Sequence, residues 1–361
     1  MLQTGVNEPI TSAAAGRSLL GARGRTRPRI VGLGGGTGLP VLLRGLKTAL
    51  FPPGARWMAQ RDREWITGVV TVADDGGSSG RLRRAYGVIP PGDIRSCLLA
   101  LSGGDPTLEA MFSYRFNGNG DSGAGGHSLG NLMLAALQLM EGDFRNALDL
   151  AARILKVRGR VLPATLDPVT LSARFADGSR VSGESRIAAV RRPIRRVELE
   201  PRDPRPLPEV LEAIRTADLV TIGPGSLYTS LIPVLLVPGV ADAIARSGAR
   251  VVLVMNLMTE PGETDGCAAT DIVIALRRHA PAVPVHDVLL NCAPIPGESL
   301  RRYAAAGSDL LASESAAIKA LGCRTVEHDL LGPGPAVRHD PIRLARAVLE
   351  LAGESLQRIG G

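Results

Sequence analysis

Apolar residues cluster in short runs that alternate with segments of helical spacing. Arg29–Leu33, Ile66–Val72, Ala217–Ile222, Arg250–Met255, Val285–Leu290 and Cys323–Glu327 each read as a strand buried on both faces. Between them, apolar positions recur at helical spacing in Leu39–Leu50, Asp93–Leu101, Leu129–Met140, Phe144–Leu155, Pro233–Ser247, Gly266–His279 and Pro341–Ala352. Strand–helix alternation of this kind predicts an α/β fold with a doubly wound, mostly parallel Rossmann-like sheet. The stretch 156–205 breaks the rhythm. Val169–Phe175 alternates polar and apolar, Asp177-Gly178 marks a hairpin, and Arg180–Glu200 continues in short β-like pieces. It reads as a β-rich insertion, closed by the Pro-rich link Pro201–Pro208, between a nucleotide-binding half (29–155) and a second α/β half (206–361) that completes the same domain.

Composition narrows the class. The 361 residues are 45% hydrophobic, which suits a globular chain with a large core. No run of 18 apolar residues exists, and the candidate Leu231–Val240 is broken by Pro233 and Pro238, so no membrane span is expected. Cys97, Cys267, Cys292 and Cys323 are scattered without a Cys-x-x-Cys pair, which fits a reducing cytoplasm rather than a zinc site or disulfide framework. The net charge of +7 is uneven: residues 1–29 hold five arginines against one glutamate, and 153–205 hold 13 basic and 6 acidic side chains. The excess lies away from the candidate site and aromatic content is 3%, so nucleic acid is not the expected partner. Residues 1–28 read as a disordered basic tail.

Candidate chemistry sits where the strands end. Gly34-Gly35-Gly36-Thr37-Gly38 links the first strand to a helix, a turn that lets backbone N–H groups and a helix N-terminus meet a phosphate. It fits neither Gly-x-Gly-x-x-Gly nor a Walker loop. The second strand runs into Asp74-Asp75-Gly-Gly-Ser78-Ser79-Gly-Arg81, where one carboxylate can take ribose and the other a metal ion, with two hydroxyls and a guanidinium for anionic oxygens. Asp93, after Pro-Pro-Gly, reads as a helix N-cap or a second metal-side carboxylate. Gly126-His127-Ser128-Leu-Gly130 spells a nucleophile elbow, but Gly-rich sequence replaces the strand the elbow needs. A loop turning His127, Ser128 and Asn131 toward a ligand is the better reading. Gly223-Pro224-Gly225-Ser226 repeats the strand–loop–helix arrangement, and Asn256 and Thr259 follow another strand.

Together with Pro91-Gly-Asp-Ile-Arg95, these motifs resemble, in order from about residue 29 to 345, the gluconeogenesis factor family, also described as YvcK-type UDP-N-acetylglucosamine-binding proteins. That family is similar in fold to the 2-phospho-L-lactate transferases. The chain departs from it at Ser96 and Cys97, where an amide residue is usual, and in the basic extension 1–28. The resemblance implies phosphate binding by Gly34–Gly38 and Gly223–Ser226, magnesium held by Asp75 and Asp93, and a place for Tyr303 near the nucleotide-sugar. It also implies a cytoplasmic regulator linking gluconeogenic growth to cell-wall synthesis and cell shape, with a homo-oligomer and an unidentified protein partner expected. The alternative it leaves is a magnesium-dependent transferase acting on a nucleoside diphosphate conjugate.

Overall fold

The computed structural model describes residues 27–51, 60–118 and 123–359, with the side chains of Gln60 and Arg61 and those beyond Glu354 left aside. The predicted tail therefore lies outside the described residues, apart from its last two positions. Seven parallel strands form the main sheet: β1 (Ile30–Gly34), β2 (Ile66–Val70), β3 (Arg160–Pro163), β7 (Leu219–Ile222), β8 (Arg250–Val254), β9 (Asp287–Asn291) and β10 (Arg324–His328). Their order is β10-β9-β8-β7-β1-β2-β3. The remaining strands, β4 (Thr170–Phe175), β5 (Arg180–Ser182) and β6 (Ile194–Glu200), make a separate antiparallel sheet in the order β5-β4-β6.

Strands β1, β2, β7 and β8 are buried along their whole lengths, which is why they read as unbroken apolar runs. Helices flank them. Gly38–Leu50 buries Leu39, Leu42, Leu43 and Leu46, and its Gly45 lets the chain at Pro341 approach closely enough that a Cβ would strike the Pro341 carbonyl. Both halves of the sequence meet at the β1–β7 pairing, where Ile30 lies opposite Leu219 and Arg29 N–H donates to Asp218 at 2.8 Å.

Several boundaries differ from expectation. Residues 160–163, counted with the insertion, are the edge strand of the main sheet beside β2; a four-residue arginine-containing edge lacks the apolar run that marks its neighbours. Within the insertion, Glu184–Val190 is a helix rather than β structure. Gly77–Tyr86 and Pro106–Ser113 are also helices, and the segment read as Pro233–Ser247 breaks into Leu227–Leu235 and Val240–Arg246 around the Pro238-Gly239 turn. Among the described residues no single helix is long and apolar enough to cross a membrane; the one bent pair of sufficient length, turned by 70°, has Leu227, Leu231, Ile232 and Val234 in the core.

Candidate functional site

The carboxyl ends of β1, β2, β7 and β8 carry the loops singled out in the sequence, as an open parallel sheet requires. The glycine turn is central. Gly36 has φ +58°, a left-handed conformation that disfavours a side chain, and Thr37 begins helix Gly38–Leu50 without a side-chain capping bond. Helices Gly77–Tyr86 and Gly92–Leu101 also begin uncapped, behind Gly76 and Pro91. Away from these loops, helices at Pro106 and Phe144 are capped by Asp105 and Asp143. These helix N-termini open onto the loops, where N–H groups can hold an anion, although Ser79 Oγ already accepts from Gly92 N–H.

Carboxylates line one wall. Gly36 N–H donates to Asp93, the second residue of its helix rather than the N-cap. A Cβ on Gly35 would come within 2.5 Å of Asp93 Oδ2, so a side chain there would displace the Asp93 carboxyl. Burial, and then the charge of Asp74, push the Asp93 carboxyl up to about 6. Asp74 accepts from Gly76 N–H at 2.8 Å and from Ser79, whose Oγ in turn accepts from Gly92 N–H at 3.1 Å; burial raises its pKa also. Asp75 turns elsewhere: its Oδ1 accepts from Ser185 N–H of the insertion at 2.9 Å. Asp74 is thus the carboxylate whose charge acts on Asp93 across the site, while Asp75, expected beside Asp93 at a metal, is bonded to the insertion. Sequence spacing cannot decide which of two adjacent aspartates faces inward.

The insertion adds a carboxylate that motif reading missed. Glu184 opens the helix after β5, and burial pushes it up to about 8, with the charges of Asp74, Glu263, Asp75 and Asp93 adding to the effect. Its neighbourhood joins residues far apart in sequence, and no local signal marks it.

On the other side of the glycine turn, Gly38 packs so tightly on the Gly223-Pro224-Gly225 loop that a Cβ would collide with the Pro224 carbonyl. This loop was expected to offer free N–H groups to phosphate. Instead Asn256 clamps Gly225, accepting from its N–H at 3.1 Å and donating to its carbonyl at 3.0 Å. Glu263 takes the Tyr228 and Thr229 N–H groups at 3.1 and 3.2 Å, and the Ser226 hydroxyl bonds to Glu260. Burial pushes Glu263 up to about 7. The loop instead walls a cleft of about 400 Å³ with Thr37, Asn256, Thr259, Glu260, Tyr303 and Val337. Thr259 is itself committed, its Oγ1 accepting from Asp309 N–H at 2.8 Å, while Tyr303 holds Val337 N–H on its hydroxyl at 3.0 Å.

The third cluster joins Ser78, His127 and Asn131. Ser78 Oγ lies 2.8 Å from His127 Nδ1 and accepts from Asn131 Nδ2 at 3.0 Å. Ser128 caps helix Leu129–Glu141, its Oγ accepting from Asn131 N–H at 3.2 Å, so it is a capping residue and not an elbow nucleophile. Arg81 donates to the Gly125 carbonyl at 2.8 Å and steadies the glycine-rich approach to His127.

The arrangement can seat a diphosphate on the glycine turn, with carboxylates to one side and a cleft large enough for part of a nucleotide to the other. Among the described residues no cluster of three or more metal-ligating side chains occurs. Two carboxylates beside a phosphate seat suit magnesium, which keeps several waters and commonly takes substrate phosphates as ligands.

The family model for 2-phospho-L-lactate transferase CofD matches residues 30–331. The chain is 45% identical over 326 residues to the gluconeogenesis factor of Halalkalibacterium halodurans, covering 90% of this chain and 96% of that one. It is 43% identical over 329 residues to the gluconeogenesis factor of Bacillus subtilis, covering 91% and 99%. A crystal structure of a UPF0052 family member from Bacillus halodurans superposes with a TM-score of 0.82 at 44% identity, covering 90% of this chain and all of that one.

Proposed function

Because the chain belongs to the 2-phospho-L-lactate transferase CofD family, among its gluconeogenesis factors, we propose that it is a cytoplasmic regulator that binds UDP-N-acetylglucosamine or a similar nucleotide-sugar. In this reading it couples gluconeogenic growth to cell-wall synthesis and cell shape, acting on a protein partner, as a homo-oligomer. One observation carries the reading: the uncapped glycine turn Gly34–Gly38 lies between the Asp74–Asp93 pair and the 400 Å³ cleft. A diphosphate seated there brings negative charge toward two carboxylates, and magnesium between them relieves the repulsion. Asp74 and Asp93 would hold that ion, which supplies charge neutralisation, while the cleft with Tyr303 would take the nucleoside.

UDP-N-acetylglucosamine at 100 times its Kd should stabilise the fold by about 2.7 kcal/mol, read as a rise in Tm, and the free sugar should give none. Asp74→Asn should remove the magnesium dependence of that rise. The nucleotide-sugar should be recovered intact after long incubation with magnesium. No Tm shift with any nucleotide-sugar would refute the binding reading.

The second reading, a magnesium-dependent transferase, is favoured by the carboxyls of Asp93 and Glu184, raised to about 6 and about 8 and so able to exchange a proton near neutrality. Release of a uridine nucleotide in the same incubation would decide for it.

A further inference from the structure

The partners around His127 leave one consistent placement of protons. Arg95 Nε donates to Asn131 Oδ1 at 2.8 Å, and a guanidinium has donors only, so the amide oxygen must face it. Asn131 Nδ2 therefore faces Ser78 and donates to Oγ at 3.0 Å. Ser78 has a single proton to give, and the acceptor within reach is His127 Nδ1 at 2.8 Å. Nδ1 is then bare and Nε2 carries the ring proton. The ring is 7% exposed, yet Nε2 has no hydrogen-bond partner among the described residues. Nε2 is not sealed from solvent either, so its N–H stands open to an acceptor brought by a ligand. Burial, and then the charges of Arg81 and Arg115, lower the His127 pKa, so the ring is a neutral donor in positive surroundings. The complement is an acceptor bearing negative charge.

We propose that His127 Nε2–H receives an anionic oxygen of the bound ligand, and that Ser78, Asn131 and Arg95 are positioning residues that lock the imidazole in the tautomer able to do so. The identity of the anion as a nucleotide-sugar phosphate rests on the function proposed above; the tautomer does not. The lock also means that the nitrogen facing the ligand bears a proton and cannot act there as a base.

The test is ¹⁵N-edited NMR of the full chain labelled at histidine, with the His127 signals assigned by their loss in His127→Gln. The expected pattern is a pyridine-like Nδ1 and a pyrrole-like Nε2; the reverse overturns the proposal. Inorganic pyrophosphate should perturb the Nε2–H signal ahead of those of the other four histidines. In Asn131→Asp the new carboxylate accepts from both Arg95 and Ser78, Ser78 turns to accept from Nδ1–H, and the ring changes tautomer. Pyrophosphate affinity should then fall about ten-fold, as expected for one hydrogen bond to a charged group. Ser78→Ala, which removes the lock without adding charge, should also weaken binding. Unchanged affinity in both variants overturns the proposal. Wild-type protein with the expected tautomer that binds pyrophosphate but no nucleotide-sugar would defeat the functional reading alone. Equal binding of UDP-N-acetylglucosamine by wild type and His127→Gln would defeat this inference alone.

Discussion

At the scale of single residues, acid groups held against burial give the unliganded protein a definite pH response. Asp93 has a folded pKa of about 6 against an ordinary 3.8. Ionising it is harder in the folded state, so its contribution to stability is full below pH 4 and is lost as pH rises through 6. Asp93→Asn removes that loss. The stability difference between variant and wild type should grow in the variant's favour from pH 4 to about 6.5 and then level, reaching at most about 3 kcal/mol in denaturant titrations. A flat difference would mean that Asp93 is not destabilised in the fold. The residue types at the site were legible because Gly, Asp, Ser and Asn after apolar runs have few other uses. Their partners were not. Choosing between Asp74 and Asp75 depends on where Ser185 lies, 110 positions along the chain, and the importance of Glu184, Glu260 and Glu263 arises only when separate loops converge.

At the scale of elements, the insertion is tied to both halves of the molecule. Tyr228 donates its hydroxyl to the Ile194 carbonyl at 3.3 Å, Val197 N–H donates to His279 Nε2 at 3.0 Å, and Gly262 lets the Ala188 carbonyl pack where a side chain would collide. From the first half Asp75 holds Ser185. Asp75→Ala should cut that one tether, leaving the fold within about 1 kcal/mol of wild type but speeding limited proteolysis within 183–191. Unchanged cleavage there would mean that the other three contacts suffice. The helix Glu184–Val190 escaped pattern reading because seven residues give barely two turns, too few for a period to emerge amid the surrounding β alternation. The buried strands were readable for the opposite reason, since a parallel sheet covered on both faces allows no polar interruption.

At the scale of the molecule, the halves of the chain share one sheet, and β1 stands near its middle between β2 and β7. The alternation of strands and helices made the parallel architecture legible, but not the order of strands, because a sequence does not state which of two apolar runs becomes a neighbour. The β1–β7 seam pairs Leu33 with Ile222 and carries a consequence for biosynthesis. At roughly 5–20 residues per second, about 10–40 s separate the emergence of β1 from that of its partner. Throughout that interval a fully apolar strand waits with one row of N–H and C=O groups unmatched, the kind of edge that recruits other nascent chains. A fragment ending at residue 206 should therefore partition to the pellet on expression, whereas the full chain stays in the supernatant; a soluble, monomeric fragment would contradict this. Codons that slow the ribosome between 35 and 218 would lengthen the exposure, so the yield of folded protein should respond to translation speed across that stretch more than beyond it.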